Sequence, residues 1–231
     1  MRLSLLLASD SPRRRELLTD AGFEFESVAP CVAEKFDVDL TVRELTAFNA
    51  IRKALSVARA NPTKIVLAAD TLVAIDGEII GKPRNIDAAI AMLSRLSGRV
   101  HEVCSSVFIC HLAQGRPVES VRWWTRSTSF NEISRVRFRR LTRQEIDSYL
   151  AKVDPLDKAG AYAAQGSGEK IIEKIDGSYT NVVGLPMEKT IAALADFGIT
   201  PAPAFYGLRL STFPRADNSK PRARGSVQEC P

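Results

Sequence analysis

The sequence predicts an α/β fold built on a mixed central sheet with flanking helices. Three observations carry that prediction. Apolar runs such as Leu3–Ala8 and Ile65–Ala69 read as buried strands and alternate with segments of helical period. Asp76-Gly77 separates two strand-like stretches, and an Asp-Gly pair supplies the φ > 0 backbone of a two-residue hairpin, so part of the sheet is antiparallel. Helices and strands interleave along the chain rather than falling into separate blocks.

The first strand ends in Ser9-Asp10-Ser11 and runs into Pro12-Arg13-Arg14-Arg15. Pro12 suits the first position of a helix, where its missing N–H has no partner to lose. Ser11 takes the N-cap place, where its side-chain oxygen can accept from a backbone N–H. Such a helix start attracts anions through its N–H groups and dipole, and arginines add fork-shaped donors suited to phosphate oxygens. The stretch reads as a phosphate grip. An ordinary strand–turn–helix with solvated arginines fits the same residues.

Phe23 to Val28 reads as a short strand. Residues 42–60 carry Leu45, Phe48, Ile51, Leu55 and Ala58 at helical spacing, and Asn61-Pro62 ends that helix. The same spacing places Lys53 opposite the stripe, as a surface lysine. Ile65–Ala69 is a strand running into Asp70. Thr71–Ile75 and Glu78–Ile80 flank the hairpin turn. Asp87–Leu96 is helical and stops near Gly98; Val100–Leu112 is a strand. Residues 113–133 show no clean period. Arg135 to Arg139 alternates with period two, as a half-exposed strand should. Thr142-x-x-Glu145 is a capping box opening a helix to about Leu150. Lys170–Ile175 is a strand, and Pro186–Phe197 a helix closed by Gly198. Residues 1–200 form one domain. Residues 201–231 hold five prolines with five basic against two acidic residues, and read as a disordered basic tail.

Composition narrows the function. The chain has 231 residues, 45% hydrophobic and 26% charged, an ordinary globular profile. No apolar run approaches the ~20 residues of a membrane span. The arginines after the first strand do not suit a secretory signal, so a cytoplasmic location is expected. Four cysteines include no Cys-x-x-Cys pair, which removes zinc-site spacing and favours reduced thiols. With only two histidines, any metal must be held mainly by carboxylates, water and ligand oxygens, which favours Mg²⁺ or Mn²⁺. Much of the net charge of +5 comes from the tail, so no specific nucleic-acid partner is expected.

Single residues then suggest chemistry. Asp70 closes an apolar strand, and a carboxylate there needs a cation or metal to compensate its burial. The alternative is an aspartate starting a turn. Lys82, between Gly81 and Pro83, can meet a phosphate as a point charge; a solvated lysine is the plain alternative. Residues 157–168 are rich in small residues, and Gln165 there offers the donor and acceptor that reading a base edge requires. A flexible glycine loop fits too. Glu34 is a weak signal by itself. The arginines 135–143 read as a solvated strand face rather than a nucleic-acid stripe.

Taken together, these segments resemble the Maf family of nucleoside triphosphate pyrophosphatases. The matches run in order: Leu7-Ala8-Ser9-x-Ser11-Pro12-Arg13-Arg14-x-Glu16-Leu17-Leu18, Lys53-Ala54, Ala69-Asp70-Thr71, Gly81-Lys82-Pro83, Leu96-Ser97-Gly98-x-x-His101-x-Val103, Asp157-Lys158-Ala159-Gly160-x-Tyr162-x-x-Gln165-Gly166 and Asn181-Val182-Val183-Gly184-Leu185-Pro186. The resemblance implies two lobes around a cleft, as in inosine triphosphate pyrophosphatases. It implies hydrolysis of a nucleoside triphosphate to the monophosphate and pyrophosphate with a divalent metal, in a cytoplasmic protein and often a homodimer. Arg13, Thr71 and Gln165 match the branch acting on dTTP and UTP; the branch acting on 7-methyl-GTP carries tryptophan at the first of these positions. On that resemblance Ser9, Ser11, Arg13, Arg14, Lys53 and Lys82 hold the triphosphate, Glu34 and Asp70 place the metal, and Asp70 takes the proton of the attacking water. A non-catalytic regulator of cell division that binds nucleotide or nucleic acid, and a 7-methyl-GTP pyrophosphatase, are the alternatives. Asp10 departs from the small residues common at its place and is expected to face solvent. Ser105 and Ser134 replace threonines, and Ala164 a larger aliphatic.

Overall fold

Where the strand Ile65–Ile75 begins, it pairs along one edge with one neighbour; where it ends, it pairs with another; between them that edge is left open. That notch organises the molecule. The computed structural model describes residues 3–36, 39–112 and 124–202. Its strands are β1 (Leu5–Ala8), β2 (Phe25–Val28), β3 (Ile65–Ile75), β4 (Glu78–Ile80), β5 (Val100–Leu112), β6 (Trp124–Phe138) and β7 (Ile172–Asp176). Its helices are α1 (Pro12–Asp20), α2 (Val42–Ala58), α3 (Ile86–Leu96), α4 (Arg143–Leu150), α5 (Tyr179–Val183) and α6 (Met187–Asp196).

One sheet runs in the order β2-β1-β3-β5-β6-β7, with β4 on β3. β1 pairs in parallel with β2 and β3, and the remaining pairs are antiparallel. β1 meets β3 at Ile65–Leu67 and β4 meets it at Val73–Ile75. The notch between them lies at the carboxyl end of β1, the place where ligands bind in open α/β sheets.

Alternation along the strands separates two cores. Leu5, Leu7, Leu67, Val103 and Val107 face the side covered by Leu17 and Leu18 of α1, Leu93 and Leu96 of α3, Ile146 of α4 and Leu194 of α6. Leu6, Ala8, Val66, Ala68, Phe108 and Cys110 face Ala50, Ala54, Val57 and Ala58 of α2. A strand buried on both faces reads as a continuous apolar run, which is why β1 and the start of β3 look as they do.

The hairpin forms on the expected residues, with Asp76 at φ 55° and Gly77 at φ 80°. Thr142 and Glu145 complete the capping box before α4. Three expectations need correction. β3 does not stop before Asp70 but runs through it to Ile75, eleven residues in all. β6 begins well before Arg135, inside the stretch that lacked a period. Most instructive is α2. Its buried face is Leu45, Thr46, Asn49, Ala50, Lys53, Ala54, Val57 and Ala58, while Phe48 is 42% exposed. Lys53, expected at the surface, is 7% exposed. The face lies against polar groups of the sheet near the helix start, so it carries polar residues there and small apolar ones beyond. The arginine strand behaves as read: Arg135 and Arg137 are exposed while Val136 and Phe138 are buried. The tail expectation falls on residues that lie, from 203 onward, outside the described ones. Among the described residues no helix is long and apolar enough to cross a membrane.

Candidate active site

A cleft of about 600 Å³ opens at the notch. Ser9 and Ser11 line it from the turn between β1 and α1, and Arg13 and Arg14 from the first turn of α1. Asp70, Thr71 and Val73 come from β3, Lys53 from α2, Glu34 and Phe36 from the segment before α2, and Lys82 from just after the hairpin. The segment 157–164 and the end of α5 close the far side. A backbone bond from Gly160 N–H to Gly81 O (3.0 Å) ties that segment to the Lys82 turn.

The two faces of β3 divide the chemistry. Asp70 points toward α2 and is 2% exposed. Its Oδ1 accepts from Lys53 Nζ at 2.6 Å and its Oδ2 from Asn49 Nδ2 at 3.3 Å. Lys53 Nζ also donates to Glu34 Oε1 at 2.6 Å, and Lys82 Nζ donates to Glu34 Oε2 at 2.9 Å. A buried carboxylate is costly until paired, and here one ammonium serves two. Burial works to raise the Glu34 carboxyl, but the charge and hydrogen bond of Lys53, aided by Lys82, outweigh it and bring it down to about 2.

Next to this cluster lies Arg14, 9% exposed. Its Nε donates to Gly184 O (2.9 Å), Nη1 to Ser9 Oγ (3.3 Å) and Nη2 to Thr71 Oγ1 (3.1 Å). These neutral acceptors orient the guanidinium, and each Nη keeps a second hydrogen to offer an anion. Burial lowers its pKa, while the charges of Asp70 and Glu34 act to raise it. Thr71 Oγ1 also meets Ser105 Oγ at 2.8 Å, and Ser105 donates to Asn181 O at 3.0 Å. Ser105 thus links the Thr71 hydroxyl to the backbone of α5. Ser11 takes the N-cap place of α1 but makes no side-chain cap bond there. Instead its N–H donates to Ser9 Oγ (3.2 Å). The first turn of α1 therefore faces the cleft without a serine cap of its own. Arg13 reaches across to Asp157 Oδ2 at 3.4 Å, and Asp157 also pairs with Lys158.

The opposite face of β3 carries Thr71 and, beyond it, an apolar wall. Val73, Val103, Tyr162, Ala163, Ala164, Val182 and Val183 line that part of the cleft. Tyr162 Oη meets Nε2 of the buried His101 at 2.8 Å, and burial brings His101 down to about 4, so its ring is neutral at pH 7. An apolar subsite beside a cationic one suits a heterocycle joined to phosphates.

The structure thus brings Ser9, Ser11, Arg13, Arg14, Glu34, Lys53, Asp70, Thr71 and Lys82 to one cleft. Gln165 is not among the lining residues; it is half-buried just beyond Ala164, at the start of the turn Gly166–Lys170. Asp10 is exposed, as expected, at the cleft rim. Asn49 and Lys158 join the site beyond the residues the sequence singles out: Lys158 lies in the small-residue stretch 157–168, and Asn49 carries no signal except a polar residue one turn before Lys53.

Glu34 and Asp70 converge on one point, the Lys53 ammonium, with oxygen donors only. Among the described residues no group of three or more His, Cys, Asp or Glu side chains gathers. Two carboxylates facing one cationic centre fit a hard divalent ion that draws its other ligands from water and phosphate oxygens.

A family model described as Maf-like protein matches residues 4–197. The dTTP/UTP pyrophosphatase of Bacillus pumilus is 43% identical over 197 residues, 85% of this chain and 98% of that one. The dTTP/UTP pyrophosphatase of Carboxydothermus hydrogenoformans is 41% identical over 196 residues, 85% of this chain and 100% of its own. Among solved structures, that of the Staphylococcus aureus Ham1 protein aligns with a TM-score of 0.44 at 16% identity, covering 84% of this chain and 99% of that one.

Proposed function

The chain belongs to the Maf-like protein family, and from that premise we propose that it hydrolyses nucleoside triphosphates, dTTP and UTP foremost, to the monophosphate and pyrophosphate. The observation that carries the reading is Asp70. It is a buried carboxylate held by Lys53 and Asn49, in a cleft that joins arginines and lysines to an apolar wall.

In this reading the base lies against Val73, Val103 and Tyr162, and the triphosphate extends toward the α1 N-terminus. Arg13, Arg14, Lys53, Lys82, Ser9 and Ser11 bind its oxygens. Gln165 and Arg13 contribute to the choice of base. Glu34 and Asp70 would hold a divalent cation, Mg²⁺ or Mn²⁺, which when bound neutralises charge on the phosphate oxygens. Asp70 removes a proton from water as its oxygen attacks the α-phosphorus. The bond from that phosphorus to the bridging oxygen breaks, and pyrophosphate leaves with Arg14 and Lys82 balancing its charge. Positioning and electrostatics supply most of the acceleration, as in other phosphoryl transfers. A cytoplasmic setting and a homodimeric state belong to the same proposal through the family resemblance.

The test is pyrophosphate release across a nucleotide panel with Mg²⁺ or Mn²⁺. Release from dTTP and UTP is expected. Asp70→Asn should keep the fold and lose turnover by about 10²–10⁴-fold, the usual worth of a general base. Wild-type turnover by that variant would sink the assignment of Asp70. Activity on 7-methyl-GTP without dTTP or UTP would reverse the choice of branch.

A further inference from the structure

Asn49 lies on α2 one turn before Lys53 and is 1% exposed. An amide buried under a helix is costly unless its groups are paired, and here both ends are used. Oδ1 accepts from Lys35 N–H at 3.0 Å. Nδ2 donates to Lys35 O at 3.1 Å and to Asp70 Oδ2 at 3.3 Å. The partners fix the orientation: turning the amide over would set its oxygen against two oxygens and its NH₂ against an N–H.

Lys35 adjoins Glu34 in sequence. One buried side chain therefore grips both the segment that carries Glu34 and the carboxylate of Asp70. Arg52 Nη1 adds a tie to Ala33 O at 2.8 Å, on the other side of Glu34. Asp70 in turn has one donor on each oxygen, Lys53 on Oδ1 and Asn49 on Oδ2. With Lys53 alone the carboxylate plane can turn about a single contact. The second donor holds that plane, and a base works only with a lone pair aimed at its proton. Misplacement of a reacting group by about 1 Å costs on the order of 10²-fold.

We infer that Asn49 is a positioning residue for the hydrolysis: it sets the plane of the Asp70 carboxylate and the placement of Glu34 relative to it. The inference rests on the reading of Asp70 as the base.

The experiment measures dTTP hydrolysis by the full chain with Mg²⁺ for Asn49→Asp, Asn49→Leu and Asp70→Asn, with melting temperatures alongside. Asn49→Asp keeps the shape and the oxygen facing Lys35 N–H but sets an oxygen against Asp70. Asn49→Leu suits a buried helix face and removes both grips, so it also guards against a variant that fails to fold. Both should lower kcat by about 10- to 100-fold with KM within about 3-fold, as expected for loss of an interaction made to a catalytic charge. The Lys35 amide should exchange hydrogen faster in Asn49→Leu. If both variants keep wild-type kcat while only their melting temperatures fall, Asn49 is merely structural and the inference is overturned, with Asp70→Asn still inactive. If Asp70→Asn keeps turnover, the base that Asn49 orients is absent and both readings fall together.

Discussion

Lys53 carries one charge and answers two. Its ammonium lies 2.6 Å from both Glu34 and Asp70, on a buried helix face that also carries Thr46 and Asn49. Removing one partner of a buried ion pair leaves an uncompensated charge, a loss of roughly 3–5 kcal/mol. Lys53→Met is expected to cost about that much at pH 7, read by urea denaturation. The cost should depend on pH. Glu34 is held near 2 in the folded chain against about 4.5 unfolded, so the stability it adds is complete above pH 4.5 and is lost as pH falls through 2. The gap between wild type and Lys53→Met should therefore narrow from pH 4.5 downward. His101 has its own window. Burial lowers it to about 4 from about 6.5, so the unfolded chain takes up the proton first and stability falls as pH drops from 6.5 to 4. His101→Gln should flatten that part of the profile.

At the scale of elements, the wall of the apolar subsite depends on a close turn. A Cβ built on Gly168 would lie 2.3 Å from the backbone oxygen of Ala163, which cannot swing aside as a side chain would. Gly168→Ala must shift the segment that presents Ala163 and Ala164 to the cleft. A fall in melting temperature and a several-fold rise in KM for dTTP, with kcat nearly kept, are expected from calorimetry and steady-state kinetics. Other elements were legible from local chemistry alone. The Asp76-Gly77 turn and the Thr142–Glu145 capping box formed where their residues placed them, because each is decided within four residues. β3 was not legible as one strand, because Asp70 looks like a terminator. Its charge is tolerated mid-strand only since Lys53 and Asn49 reach it from another element. Phe48 falls on the apolar stripe of α2 yet lies outside its buried face for the converse reason. It sits at the surface against Arg52, with the guanidinium 5.6 Å from the ring centre.

For the whole molecule, the sheet is what holds the two sides of the cleft. Arg13 and Asp157 join them across 144 residues of sequence, but the pair is long at 3.4 Å and half exposed on the Asp157 side. Such pairs contribute about 0–1 kcal/mol. Asp157→Asn should lower the unfolding free energy by no more than that in urea denaturation, whereas a drop of several kcal/mol would show that the cleft itself is held by this contact. Strand pairing carries the geometry instead. β1 leaves β3 after Leu67 and β4 joins it at Val73, and the site lies in the gap.

The sequence by itself determined the class of fold, the hairpin, the capping box at Thr142, the buried strands and the set of residues from Ser9 to Lys82 that share one cleft. Local patterns suffice for the elements, and the ordered motifs carried the site through their resemblance to a known family. Only the tertiary structure decided that Lys53 is buried, that Asp70 lies within a strand, that Gln165 falls beyond the lining, and that Asn49 grips both carboxylate-bearing segments. These are properties of surfaces brought together from distant parts of the chain. A residue's polarity does not say which partner its folded neighbour will supply.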